Sequence, residues 1–241
     1  MKFSSVFTLT TISTLIRVMS GLLINKLIAV FSGPAGLAIY GNFMSLNGLL
    51  SISGSGSSQT AITKLISSSN IKAEKISIVL NSLIIILTLL VFISLILLIF
   101  PTEISNYIFK DPSFKLLIYL SIPLMWSTVM NLTMLAILNG LKEFKTFSVF
   151  NMLIAAFPAI LILIFSEEIS IEKIVFSYLF SSILITFFLF INLFPFLKDL
   201  IMSSRFIQAS KLSLIAKFGI TSLVTGLIVT FSILIFRNMI I

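Results

Sequence analysis

Long stretches without any charged residue constrain this chain more than any other feature. Residues 27–63, 76–102, 116–141, 146–166, 174–197 and 218–236 contain none, and residues 3–25 are interrupted only by Arg17. A helix crossing about 30 Å of hydrocarbon needs roughly 20 mostly apolar residues, whereas a barrel strand needs only about 9–11. Inside lipid the backbone must satisfy its own hydrogen bonds, so intervals this long imply helices. Composition agrees: 58% of residues are hydrophobic and 10% charged, against about 25% charged in soluble domains. The expected class is all-α, a polytopic transmembrane helix bundle embedded in the lipid bilayer.

The interval 27–63 is too long for one span and contains Ser32-Gly33-Pro34. Proline suits the first turn of a helix and pushes the preceding residue out of helical geometry, so the break is expected there. Seven helices follow: Val6–Phe31, Pro34–Ile62, Ile76–Phe100, Leu116–Leu138, Phe147–Phe165, Ile174–Phe196 and Phe218–Phe236. This divides the chain into an N-terminal bundle of six helices (1–196), a cytoplasmic linker (197–217) and the first helix of a second, incomplete bundle (218–241). The linker carries Lys198, Arg205, Lys211 and Lys217 among apolar neighbours. It reads equally as an amphipathic helix on an anionic leaflet or as a solvated connector.

With a cytoplasmic N-terminus, the inner segments hold Lys2, Lys64, Lys72, Lys75, Lys142, Lys145, Lys198, Arg205, Lys211 and Lys217. The outer segments hold Lys110, Lys115, Lys173 and Arg237. Ten against four satisfies the positive-inside rule. The net charge of +8 is thereby explained without a nucleic-acid partner. Arg17 in the middle of the first apolar stretch argues for a retained helix over a cleaved signal.

Cysteine and histidine are both absent, which excludes disulfides, thiol nucleophiles, Ser/His/Asp triads and nearly all zinc sites. No enzyme, metal or cofactor is expected. On the first helix, Thr10, Ser13, Thr14, Ser20 and Gly21 fall within about 60° of Arg17 at 100° per residue. An arginine at mid-membrane costs at least about 2.5–3.5 kcal/mol, so it should face an interior or a wet cavity. Lys26 lies on the opposite side of the ideal helix, near the outer end, where its stem can snorkel. On the second helix Asn42, Ser45, Ser53, Gly56, Thr60 and Thr63 share a sector of about 80°. Arg17, Lys26, Asn42, Ser45 and Thr60 are the candidate substrate-binding residues, and the Ser/Gly run 53–58 suits close helix packing. Asn47, Asn81, Asn131 and Trp126 are weaker signals, equally suited to joining helices. No acidic residue falls in the core of any span, so the polar interior favours an anionic cargo, phosphate above all.

Ser13-Thr14-Leu15-Ile16-Arg17, Gly21-Leu22-Leu23, Lys26-Leu27-Ile28-Ala29-Val30, Gly33-Pro34-Ala35-Gly36-Leu37 and Asn42-Phe43 together resemble the N-terminus of the Wzx-type flippases. The O-antigen and enterobacterial common antigen branch is the most similar. Ala61-Ile62-Thr63-Lys64 and Asn139-Gly140-Leu141-Lys142-Glu143-Phe144-Lys145 add weaker similarity. The resemblance implies the fold of the multidrug/oligosaccharidyl-lipid/polysaccharide (MOP) exporter superfamily, two six-helix bundles around a cationic cavity. It implies a lipid-linked oligosaccharide on undecaprenyl pyrophosphate, moved to the periplasmic leaflet of a bacterial inner membrane for surface polysaccharide synthesis. A phosphate contact carries over to Arg17, and less securely to Lys26. Another exporter of the superfamily and a non-transporting assembly subunit paired with polysaccharide polymerase machinery are the alternatives. A membrane glycosyltransferase ranks below them, because Glu167-Glu168 is a poor acid pair. The chain departs from the family in length, as a truncated frame would. Thr221-Ser222-Leu223-Val224-Thr225 lies over Thr10-Thr11-Ile12-Ser13-Thr14 at a fixed offset, the mark of a beginning second repeat.

Overall fold

The computed structural model describes residues 3–55, 58–164 and 170–202, and positions 224, 228 and 232. Among the described residues there are helices and no strands. They are α1 (Phe3–Ser55), α2 (Ser58–Ser68), α3 (Lys72–Ile99), α4 (Pro101–Phe109), a 3-10 turn at Pro112–Phe114, α5 (Lys115–Gly140), α6 (Phe144–Ile164) and α7 (Ile171–Met202). Five segments, one each on α1, α3, α5, α6 and α7, are long and apolar enough to cross a membrane.

At 53 residues a straight α1 would run about 80 Å at 1.5 Å per residue, far more than a bilayer. It does not run straight: Gly33 has φ 65° and ψ −170°, and Pro34 opens the segment beyond it. The helix kinks there into two segments, 3–32 and 34–55, each long enough for a crossing, at the break that Ser32-Gly33-Pro34 predicts. The second crossing is described as helix to Ser55 and again from Ser58, where α2 continues to Ser68, past the expected end at Ile62; Gly56 lies outside the described residues.

The next four expected helices correspond to α3, α5, α6 and α7, each extended by a few residues. The helix α7 passes Phe196 and reaches Met202; the remainder of the expected linker lies outside the described residues. The seventh expected helix also lies outside them, save that Val224, Ile228 and Ser232 are helical. One element was not anticipated. The short helix α4 starts on Pro101 and buries Pro101, Ser105, Ile108 and Phe109.

The central helix is α5, packed against α1, α2, α3, α4, α6 and α7. The main core joins Phe43, Leu46 and Leu50 of α1, Ile62 and Ile66 of α2, Ile86 and Leu90 of α3, Met125 and Val129 of α5, and Leu189 of α7. A smaller core seals one end of the bundle, with Ile24, Ile28 and Tyr40 of α1 against Ala159 and Ile162 of α6 and Ile174 of α7. There the Tyr40 and Tyr178 hydroxyls are hydrogen-bonded at 2.8 Å. Polar side chains also join helices within the apolar interior. Asn131 Nδ2 donates to Ser182 Oγ at 3.0 Å, Thr186 Oγ1 donates to Asn131 Oδ1 at 2.9 Å, and Trp126 Nε1 donates to Ser94 Oγ at 2.9 Å.

Candidate functional site

Away from the sealed end, α1, α2, α5 and α6 diverge around a polar cleft of about 500 Å³. Close approach of α2 to α5 sets one wall. A β-carbon on Gly140 would come 2.8 Å from Ile66 Cβ and 3.3 Å from the Thr63 carbonyl oxygen, so glycine is needed for the approach. Thr63 Oγ1 then donates to the Ala136 carbonyl at 3.1 Å. This seam brings Gln59, Thr60, Thr63 and Lys64 of α2 beside Asn139 of α5. The opposite wall is Arg17 of α1 with Phe147 and Asn151 of α6. Phe147 and Asn151 are one turn apart and so share a face of α6.

Among the described residues, the cleft lining contains two cations, Arg17 and Lys64, and no acidic side chain. An anion entering it would meet a guanidinium, which offers paired donors to phosphate, and an ammonium. Among the described residues, no group of His, Cys, Asp or Glu side chains could hold a metal ion.

Of the sequence candidates, Arg17 and Thr60 share this cleft. Lys26 lies with Ser20 in a separate, mostly apolar groove of about 380 Å³ between α1 and α6. Asn42 is buried, and its Nδ2 donates to the Ile108 carbonyl of α4 at 3.0 Å. Ser45 Oγ donates to the Gly41 carbonyl of its own helix at 2.9 Å. Neither Asn42 nor Ser45 lines the cleft. The polar face drawn around Arg17 divides as well: Ser13 is buried and donates to the Thr10 carbonyl at 2.8 Å. Gln59, Lys64, Asn139 and Asn151 were not singled out from the sequence as site residues. The one available signal was Asn139-Gly140, an amide beside a residue small enough to admit a neighbouring helix.

These helices and this cleft define a polytopic α-helical membrane protein with a cationic recess at one end of its bundle. The fold is similar to that of a MOP superfamily transporter from Pyrococcus furiosus, with a TM-score of 0.69 and 19% sequence identity. The similarity covers 91% of this chain and 51% of that one, so the chain spans about half the length of that transporter. The report of that structure describes a binding pocket of reversed polarity that suggests a different function. No family model matches this sequence, and no curated protein does either.

Proposed function

We propose that this chain is a bundle of a lipid-linked oligosaccharide flippase in a bacterial inner membrane. Its cargo on this reading is a short glycan on undecaprenyl pyrophosphate, carried from the cytoplasmic to the periplasmic leaflet for surface polysaccharide synthesis. The supporting observation is the cleft holding Arg17 and Lys64, with no acidic side chain among its described residues, which suits a diphosphate and disfavours an organic cation. Similarity to a MOP transporter supports a membrane exporter, and the N-terminal sequence resemblance supports the polysaccharide branch. On this reading the N-terminus is cytoplasmic and the cleft opens to the cytoplasm, where the cargo is made. The core around Ile24, Tyr40 and Ile162 closes the periplasmic end in the same state. Lys26, Asn42 and Ser45 would serve other stages of transport, and polymerase machinery would take the cargo afterwards.

The test is surface glycan in a flippase-null strain expressing the full-length protein with Arg17→Ala or Arg17→Lys. Charge-assisted hydrogen bonds contribute about 1.5–3 kcal/mol each, so Arg17→Ala should lower export roughly 10- to 100-fold at equal membrane abundance. Arg17→Lys keeps the charge but not the paired donors, and should fall between. Undiminished glycan with the alanine variant would remove the phosphate contact.

A further inference from the structure

Between α3 and α7 a groove of about 390 Å³ runs over α5. Leu83 and Leu87 form one wall, Phe190 and Leu197 the other, and Met130 and Met134 lie on the floor. Leu87 and Phe190 are exposed at its rim. The polar side chains in the described lining are Thr133 and Thr186, and both hydroxyl protons are already used. Thr133 Oγ1 donates to the Val129 carbonyl at 2.8 Å, and Thr186 Oγ1 donates to Asn131 Oδ1 at 2.9 Å. A polar ligand would lose its water here without new hydrogen bonds to replace it, so the groove suits a hydrocarbon chain. Methionines on the floor can adapt to a flexible one.

The groove is no branch of the polar cleft. On α5 it is lined by Met130, Thr133, Met134 and Ile137, whereas the cleft is lined by Leu132, Leu135, Ala136 and Asn139. At 100° per residue the two sets point roughly 160° apart, to opposite faces of the helix. Along α7 the lining runs from Thr186 to Leu197, about 16 Å at 1.5 Å per residue. That is close to half of a hydrocarbon core of about 30 Å, the depth of one leaflet. Ile137 lies one turn before Gly140, so this is the leaflet at the cleft end of the bundle. Positive charge flanks the groove there. Lys198 follows Leu197, and Lys72 precedes Leu83 by three turns and about 20°, which puts it on the same face of α3; both are exposed. We infer that the groove is a lipid site. It takes one acyl chain of an anionic phospholipid from that leaflet, and Lys72 and Lys198 hold the headgroup phosphate. Lying on the opposite face of α5, it is filled independently of the cleft and does not depend on the cargo proposed above.

The experiment is photolabelling of the full-length protein in phosphatidylcholine nanodiscs containing a small fraction of phosphatidylglycerol with a diazirine in its acyl chain. Peptide mass spectrometry should find label concentrated on residues 130–137 and 186–197, relative to Phe92 and Phe180, which are exposed outside the groove. Leu83→Phe and Leu87→Phe narrow the groove and should remove that enrichment. Thermal unfolding checks that each is folded; Leu87 is at the exposed rim, so its variant keeps the test if Leu83→Phe is not. Diazirine phosphatidylcholine should label the same peptides roughly 10- to 25-fold less. Lys72→Gln and Lys198→Gln should each reduce that difference by up to about fivefold, the share of one lysine near an anionic lipid. Label spread evenly over the outward faces would overturn the site. Equal enrichment of the two lipids would overturn the headgroup contact. Loss of the groove label with Arg17→Ala would overturn its independence from the cleft.

Discussion

With φ at 65° and ψ at −170°, Gly33 occupies backbone space essentially closed to residues with a β-carbon, and it kinks one helical stretch into two segments. A β-carbon there would touch nothing within 4 Å, so the penalty for Gly33→Ala is torsional. It should cost about 1–3 kcal/mol, read as a lowered melting temperature in detergent. Gly48→Ala, equally uncrowded but inside a helix, should be neutral or stabilising by up to about 1 kcal/mol. Lys142 presents the converse case. It follows α5 with φ 64°, and Glu143 N–H donates to the Leu138 carbonyl at 2.9 Å, the pattern of a Schellman cap whose left-handed position favours glycine. Lys142→Gly should stabilise by up to about 1 kcal/mol in the same assay. Outside the spans, the Ser113 N–H donates to Asp111 Oδ1 at 2.8 Å and holds that carboxyl below its ordinary value of 3.8. The folded state therefore favours the ionised form. That contribution is complete above the ordinary value and is lost as pH falls below it through the folded-state value. Asp111→Asn should remove this part of the acid sensitivity, seen as a flatter stability curve below about pH 4.

At the scale of elements, the central helix α5 has two kinds of seam. Toward α2 it relies on Gly140, and Gly140→Val should force α2 away, disturbing Gln59, Thr60 and Lys64 together. Overpacking of this kind costs about 1–3 kcal/mol, so melting temperature and phosphate binding should fall in parallel. Toward α7 it relies on the Asn131–Ser182–Thr186 hydrogen bonds. A double-mutant cycle on Asn131→Ala and Thr186→Ala should return a coupling of about 0.6 kcal/mol, and at most about 1.7. These seams also explain what could be read from the chain. Uncharged length located α3, α5, α6 and α7, because lipid demands it of any span, and Ser32-Gly33-Pro34 located the kink in α1. The helix α4 was missed because it is too short to span; Pro101 at its start was its one local sign. Arg17 stood out because charge in an apolar stretch is conspicuous. Asn139 and Asn151 did not, because their sharing a cleft depends on where α5 and α6 sit, and helical periodicity carries no information about which helices will be neighbours.

Across the whole molecule, outward-facing residues such as Leu22, Phe92, Phe180 and Phe187 are exposed on helices long enough to span, a surface that only an apolar surrounding would stabilise. The two ends of the bundle differ. The turn from α2 to α3 and the turn from α5 to α6 lie at the cleft end, with Lys72, Lys75, Lys142 and Lys145; α4, Lys110 and Lys115 lie at the other. The positive-inside bias then ties the side to which the cleft opens to the orientation of the chain. The absence of cysteine from these 241 residues makes this directly testable, because an introduced cysteine is the sole labelling site within them. Lys142 and Lys110 are both exposed, so Lys142→Cys and Lys110→Cys should leave the bundle undisturbed. In intact spheroplasts an impermeant maleimide should label Lys110→Cys and spare Lys142→Cys until the membrane is permeabilised. The reverse pattern would place the cleft on the periplasmic side. It would make Arg17 and Lys64 a receiving site for cargo leaving the membrane, and the proposed direction of transport would have to be reversed.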